Sequence, residues 1–163
     1  MPGQKHHPQC WTVAAYAFAI CAAMAGCAII GGDAQTCVSW VEFESPADAM
    51  ANAEVVVLTA GPTAAAGTTD LFGVDANVHS VQIAEVLKGT AVRAGENLEV
   101  ISTPVTCTGG DAYPDGDPLG ASGTLVLFLS QDADAHVWRT VTPSQGVVAA
   151  TADGDAPLTW PPP

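Results

Sequence analysis

Three carboxylates, Asp111, Asp115 and Asp117, fall within seven residues and alternate with Gly110 and Gly116. Hard oxygen donors at that density suit calcium, which makes these three candidate ligands. Their spacing is not that of an EF-hand loop. An aspartate before glycine or proline is also ordinary turn chemistry, its side chain accepting from nearby backbone amides, and the turn is the stronger reading. Asp132 and Asp134, and Asp153 and Asp155, carry the same double meaning. With no CxxC, no HExxH and no Cys/His cluster in the sequence, zinc has no obvious home.

A nucleophile is equally hard to assemble. His79 and His136 are the histidines beyond the N-terminal segment. A His/Asp/Ser set can be drawn from any chain this rich in aspartate, so the parts alone do not argue for a hydrolase. Each histidine reads as a partly exposed strand residue. Gly120-Ala121-Ser122-Gly123 breaks the G-x-S-x-G spacing, leaving Ser122 as a turn residue. Trp40 and Trp138 could form an aromatic binding face, although core packing would use them as well.

The elements that must position these residues are short. Cys37–Phe43 alternates and predicts a first strand, and Ser45-Pro46 predicts a brief helix ending near Ala53. Glu54–Ala60 is an almost continuous β-branched run, the pattern of a strand buried on both faces. Gly61–Ala76, rich in Gly, Pro, Thr and Ala, reads as a mobile hairpin loop. Val78–Leu87 is a third strand whose apolar parity switches, which implies a bulge near Glu85. Asn97–Thr103 alternates, and 106–123 is Gly/Asp/Pro-rich loop. Strands follow at Thr124–Leu129, His136–Thr142 and Val147–Ala149, before an extended proline tail with Trp160. The class is all-β: a small closed barrel or sandwich with one short helix.

Ahead of these elements, Lys5, His6 and His7 precede the uncharged Thr12–Ala23, which is followed by Met24-Ala25-Gly26-Cys27. The length suits a signal peptide, and the last four residues resemble the lipobox of bacterial lipoproteins. That resemblance implies a signal-peptide helix over 1–26, cleavage after Gly26 and a lipid on Cys27 that holds residues 27–36 as a tether at the membrane. Apolar character continues to Ile30, so an uncleaved transmembrane anchor and plain secretion remain alternatives. All three put the remainder outside the cytoplasm. There an isolated cysteine pair, Cys37 and Cys107, reads as a disulfide, contributing roughly 4 kcal/mol in the chain-entropy model.

The mature chain of 137 residues has room for one domain. It keeps Lys88, Arg93 and Arg139 against all 17 acids, a net charge of −14. That balance repels phosphate backbones and anionic headgroups, which excludes nucleic acid as a partner and rules out polybasic membrane binding.

The order of motifs is similar to the OB-fold domains of the TIMP/netrin-like superfamily. The matching residues are Cys37, Ala53-Glu54-Val55-Val56, Glu85-Val86-Leu87-Lys88-Gly89, Cys107 and Gly123–Leu129. The resemblance implies a small closed OB-like barrel of five to six strands over 37–150, with 151–163 as tail, and makes Cys37–Cys107 the counterpart of that family's first disulfide. In the eukaryotic inhibitors the free amine of an N-terminal cysteine chelates a protease zinc. Cys37 lies ten residues inside the mature chain, so that wedge does not carry over. The expectation is therefore a cell-surface, lipid-anchored barrel that binds a protein or glycan through Trp40, Trp138 and the loops 61–76 and 108–122, without catalysis. Inhibition of an extracellular protease by another wedge is the alternative, and a hydrolase built on the acidic loop is the weakest.

Overall fold

The computed structural model describes residues 38–106, 110–132 and 137–162. The signal segment, Cys27, Cys37, Cys107 and His136 lie outside those residues, and with them the lipid and disulfide expectations. Among the described residues no helix is long and apolar enough to cross a membrane.

Two apolar runs start the fold. Val55–Thr59 (β1) pairs antiparallel with Leu125–Gln131 (β5), Val55 opposite Leu129 and Leu58 opposite Val126. Alternate side chains leave a strand on opposite faces. Val55, Val57, Leu125, Leu127 and Leu129 enter one core, while Val56, Val126 and Phe128 enter another. Burial on both faces is why neither run alternates with polar residues.

Ala64–Leu71 (β2), Val74–Lys88 (β3), Asn97–Ile101 (β4), Trp138–Thr140 (β6) and Val147–Ala149 (β7) complete the sheet among the described residues. β1 pairs with β3, β3 with β4, β4 with β6, β6 with β5, and β5 returns to β1. The five-stranded barrel is thereby closed and its edges removed. The β4–β6 contact is parallel and the others antiparallel, an OB-like order. β2 and β7 are additions, on β3 and β5 respectively. Against β1, the register of β3 slips twice, leaving Leu87 and Ala84 unmatched on either side of Glu85-Val86. The parity switch implies one bulge near Glu85; the register shifts on both sides of that residue, which bends β3 around the barrel.

The interior holds Val81, Ile83, Val92, Val100 and Leu119 besides the β1 and β5 residues. A second core lies outside the β1–β5 wall. Pro46–Asn52 (α1) covers it with Ala49 and Met50, and Ala53 follows. Ser45 caps the helix by accepting from the Asp48 amide at 3.2 Å, and Pro46 occupies the first turn. At the other end Lys88 Nζ donates to the carbonyls of Met50, Ala51 and Ala53 at 2.7–2.9 Å. One of the chain's four Lys and Arg residues thus sits at the helix C-terminus, where positive charge is favoured. Gly89 follows at φ +92°, with the Glu54 carbonyl 2.7 Å from where a Cβ would stand, so only glycine closes this turn.

Three expectations are corrected. Gly61–Ala76 is not a loop: β2 and β3 form a hairpin, Leu71 opposite Val74, whose two-residue turn puts Phe72 at φ 58° and Gly73 at φ 77°. The weak strand propensity of this Ala/Gly/Thr run is overridden by the ladder that the long β3 offers. Residues 38–43 form no strand. Val38 N donates to Thr106 O at 3.3 Å, and Phe43 exchanges hydrogen bonds with the Gln145 side chain at 2.7 and 2.8 Å. The tail is not simply extended either. Trp160 packs on the second core, its ring edge-on to Phe128 at 6.0 Å, and its indole N–H donates to Phe43 O at 2.9 Å.

Trp160→Ala removes that contact area and the hydrogen bond together, and should cost about 2–4 kcal/mol in urea unfolding. A change within a few tenths of a kcal/mol would show that the tail is not part of the folded unit.

Candidate functional site

The connection from β4 to β5 carries the densest polar cluster among the described residues. Its single-turn helix Pro118–Gly120 drives Leu119, fully buried, into the barrel interior. Asp117 holds this plug. Its Oδ1 accepts from the Leu119 amide at 3.0 Å and from Ser102 Oγ at 2.6 Å. Its Oδ2 accepts from Asn77 Nδ2 at 2.8 Å and His79 Nε2 at 2.7 Å. Four acceptances use the ordinary capacity of a carboxylate. Burial alone would push this carboxyl up, but the hydrogen bonds from His79, Ser102 and Asn77 outweigh it and bring it down to about 2.

Strand alternation explains how His79 arrives there. It shares the inward face of β3 with Val81 and Ile83 and is only 6% exposed. Its Nδ1 lies 2.8 Å from Thr63 Oγ1, whose one proton goes to Leu119 O at 2.6 Å. Both ring nitrogens are therefore engaged, Nδ1 with the Thr63 hydroxyl and Nε2 with the Asp117 carboxylate at 2.7 Å. Tyr113 completes the cluster at the last rung of the β3–β4 ladder. Its hydroxyl accepts from Asn77 N at 2.9 Å and donates to Ser102 O at 2.7 Å. Burial, the largest effect, raises its phenol above the usual value.

A carboxylate, an imidazole and a hydroxyl in line resemble the parts of a nucleophile relay, but the connections differ. The Ser102 hydroxyl meets the carboxylate and not the ring, and the Thr63 hydroxyl is shared between His79 Nδ1 and the Leu119 carbonyl. These bonds tie β3, Ser102 and the Asp117 turn together. The three carboxylates of the acidic loop are not gathered either. Asp117 faces inward, Asp111 accepts from the Tyr113 amide at 2.9 Å as a turn residue, and Asp115 is exposed. Among the described residues no group of three or more His, Cys, Asp or Glu side chains is placed to hold a metal.

The two tryptophans are separated as well. Trp138 leans on the barrel core, while its neighbour Arg139 leaves β6 on the other face. There the Arg139 guanidinium lies 5.8 Å from the Trp40 ring and 5.7 Å from that of Phe72, and the two rings meet edge-on at 5.7 Å. Burial lowers the Arg139 guanidinium below its ordinary value, with Asp132 and Glu54 opposing.

Trp138 instead lines a groove of about 460 Å³ on the barrel wall, with Leu98, Val137, Val78, Ile101, Leu71, Thr69, Asp70 and Glu99. Its cause is topological. β4 and β6 pair only at Val100–Trp138 and Ile101–Arg139, so the seam opens beyond them and half-buried core side chains reach the surface. Asp70 and Glu99 are exposed, and no lining residue is cationic. Trp138 was legible in the sequence. Its groove partners Thr69, Asp70 and Leu71 lie in the 61–76 segment expected at the same face, but they reach it as a strand and not as a loop.

Asp117 also fixes a pH dependence. Its folded value of about 2 lies below the ordinary 3.8, so its stabilisation is complete above pH 4 and is lost as pH falls through 2. Discounted for partial solvation, the loss should be about 1–2 kcal/mol. Asp117→Asn should be less stable at pH 7 and should lack this limb; equal acid slopes for the two chains in urea titrations between pH 4.5 and 2 would contradict the assignment.

The chain matches no family model, and neither a curated protein nor a solved structure shows significant similarity to it.

Proposed function

We propose that this chain is an exported, lipid-anchored β-barrel that acts as a non-catalytic binding module, with its ligand seated in the groove beside Trp138. The observation that carries this reading is the open seam between β4 and β6. A well-folded small barrel gains by burying Leu98, Val137 and Trp138, yet this one leaves them lining a concave, largely apolar surface, the usual form of a binding site. The hydrogen bonds around His79 support a role without catalysis, since every polar side-chain atom of His79 and Asp117 is engaged within the fold. The closed barrel and its strand order support the likeness to TIMP/netrin-like OB-fold domains. Met24-Ala25-Gly26-Cys27 carries the anchoring half of the proposal, and the mature charge of −14 keeps the domain off an anionic bilayer except through its tether.

A photoreactive residue placed at position 99 and irradiated in intact bacteria should give a discrete adduct in the membrane fraction. The same residue at position 153, on the tail, should give none, and Cys27→Ser should move both chain and adduct out of that fraction. Recovery of the chain from the cytosol with Met1 intact, or identical labelling from both positions, would overturn the reading.

A further inference from the structure

The groove also constrains the chemistry of its occupant. We infer that it binds a segment of a partner protein in which apolar side chains are flanked by lysine or arginine. This rests on the groove being the binding site, as proposed above.

The floor is hydrocarbon and indole: Leu71, Val78, Ile101 and Trp138. Such a surface takes up aliphatic or aromatic side chains, each buried methylene being worth about 0.8 kcal/mol. The rim carries two exposed carboxylates, Asp70 at the end of β2 and Glu99 on β4. Both are hydrogen-bond acceptors only, and Thr69 supplies the one side-chain hydroxyl of the lining. The polar part of the groove therefore asks for donors that carry positive charge. The wider molecule agrees. Of the mature chain's three cations, Lys88 is held by three carbonyls and Arg139 lies beside two rings, so little opposes the field of 17 acids. That field steers cationic partners in and turns away anionic ones.

Other occupants fit less well. A second copy would bring the same acidic rim against itself. A nucleic acid or anionic headgroup meets like charge. A neutral glycan needs paired donors and acceptors across its hydroxyls, and the lining offers no amide or guanidinium side chain. The hairpin turn adds a positional argument: the Phe72 ring packs against Trp40 and Arg139 beside the end of β2, where Asp70 and Leu71 lie.

The test uses the intact protein in nonionic detergent, isotopically labelled, with three blocked pentapeptides sharing a leucine–phenylalanine–leucine centre. Their flanks are lysine and arginine, two glutamines, or two glutamates. The basic peptide should shift the amide resonances of 69–71, 98–101 and 137–138, with a dissociation constant at least tenfold below that of the glutamine peptide. The advantage should shrink with added salt. In the double variant Asp70→Asn, Glu99→Gln the tenfold gap should close while the glutamine peptide binds as before. Equal or tighter binding of the glutamine or glutamate peptide at these amides would overturn the cationic class and leave the groove as a site. A neutral oligosaccharide such as maltohexaose shifting the same amides more tightly than the basic peptide would overturn the protein-segment class in the same way. If none of these probes moves these amides, the inference falls, and the photoreactive labelling at position 99 decides separately whether the groove has any partner.

Discussion

The carboxylate of Asp117 is where a long irregular connection becomes part of the barrel. The 23 residues between β4 and β5 hold no strand among those described, and such a segment cannot order itself against its own conformational entropy. Its described residues are anchored by Tyr113 and Thr103 and, at the centre, by the Asp117 side chain, which accepts from β3 twice, from the residue after β4 once, and from its own turn once. The consequence lies in the core. Leu119 enters the barrel core in one cluster with Val81 and Val100. Because the donors include a buried imidazole, removing the acid would strand His79, Asn77 and Ser102 without their acceptor, which is costly in a poorly solvated site.

The rest of the architecture follows from two-sided burial of the β1–β5 wall. Its inner face closes the barrel and its outer face needs a cover, which α1, β7 and the returning tail provide. This arrangement consumes Lys88 at the helix end and Trp160 at the tail. On the opposite wall the cover is thin. A hairpin with a small core of Leu71, Ala76 and Ile101 shields part of it, and the short β4–β6 contact leaves the seam open. Where the barrel is sealed and where it is open thus trace back to how many strands and turns each wall attracts.

Much of this was legible in the sequence because it rests on local patterns. The runs Val55–Thr59 and Leu125–Leu129, the Ser45-Pro46 helix start and the parity switch beside Glu85 each carry their structural meaning within a few residues. What escaped depends on distant partners. β2 is an Ala/Gly/Thr run with no strand signal of its own, made into a strand by β3. Residues 38–43 alternate as a strand does, but at Phe43 the Gln145 and Trp160 side chains take the backbone hydrogen bonds that a ladder would. His79 and Asp117 were each visible as titratable residues, yet their pairing spans 38 positions and leaves no local trace. Asp117 looked like one of three loop acids; only the fold turns it inward and leaves Asp115 in solvent.

Native-state hydrogen exchange tests the role of Asp117 most directly, because the Leu119 amide donates to its carboxylate and the Asn77 amide to Tyr113 in the same cluster. If the plug is an integral part of the barrel, both amides exchange through the same opening as the core strand amides of Val81 and Leu127, with comparable protection. Exchange of Leu119 at the rate of an unprotected loop, while those strand amides stay protected, would contradict it.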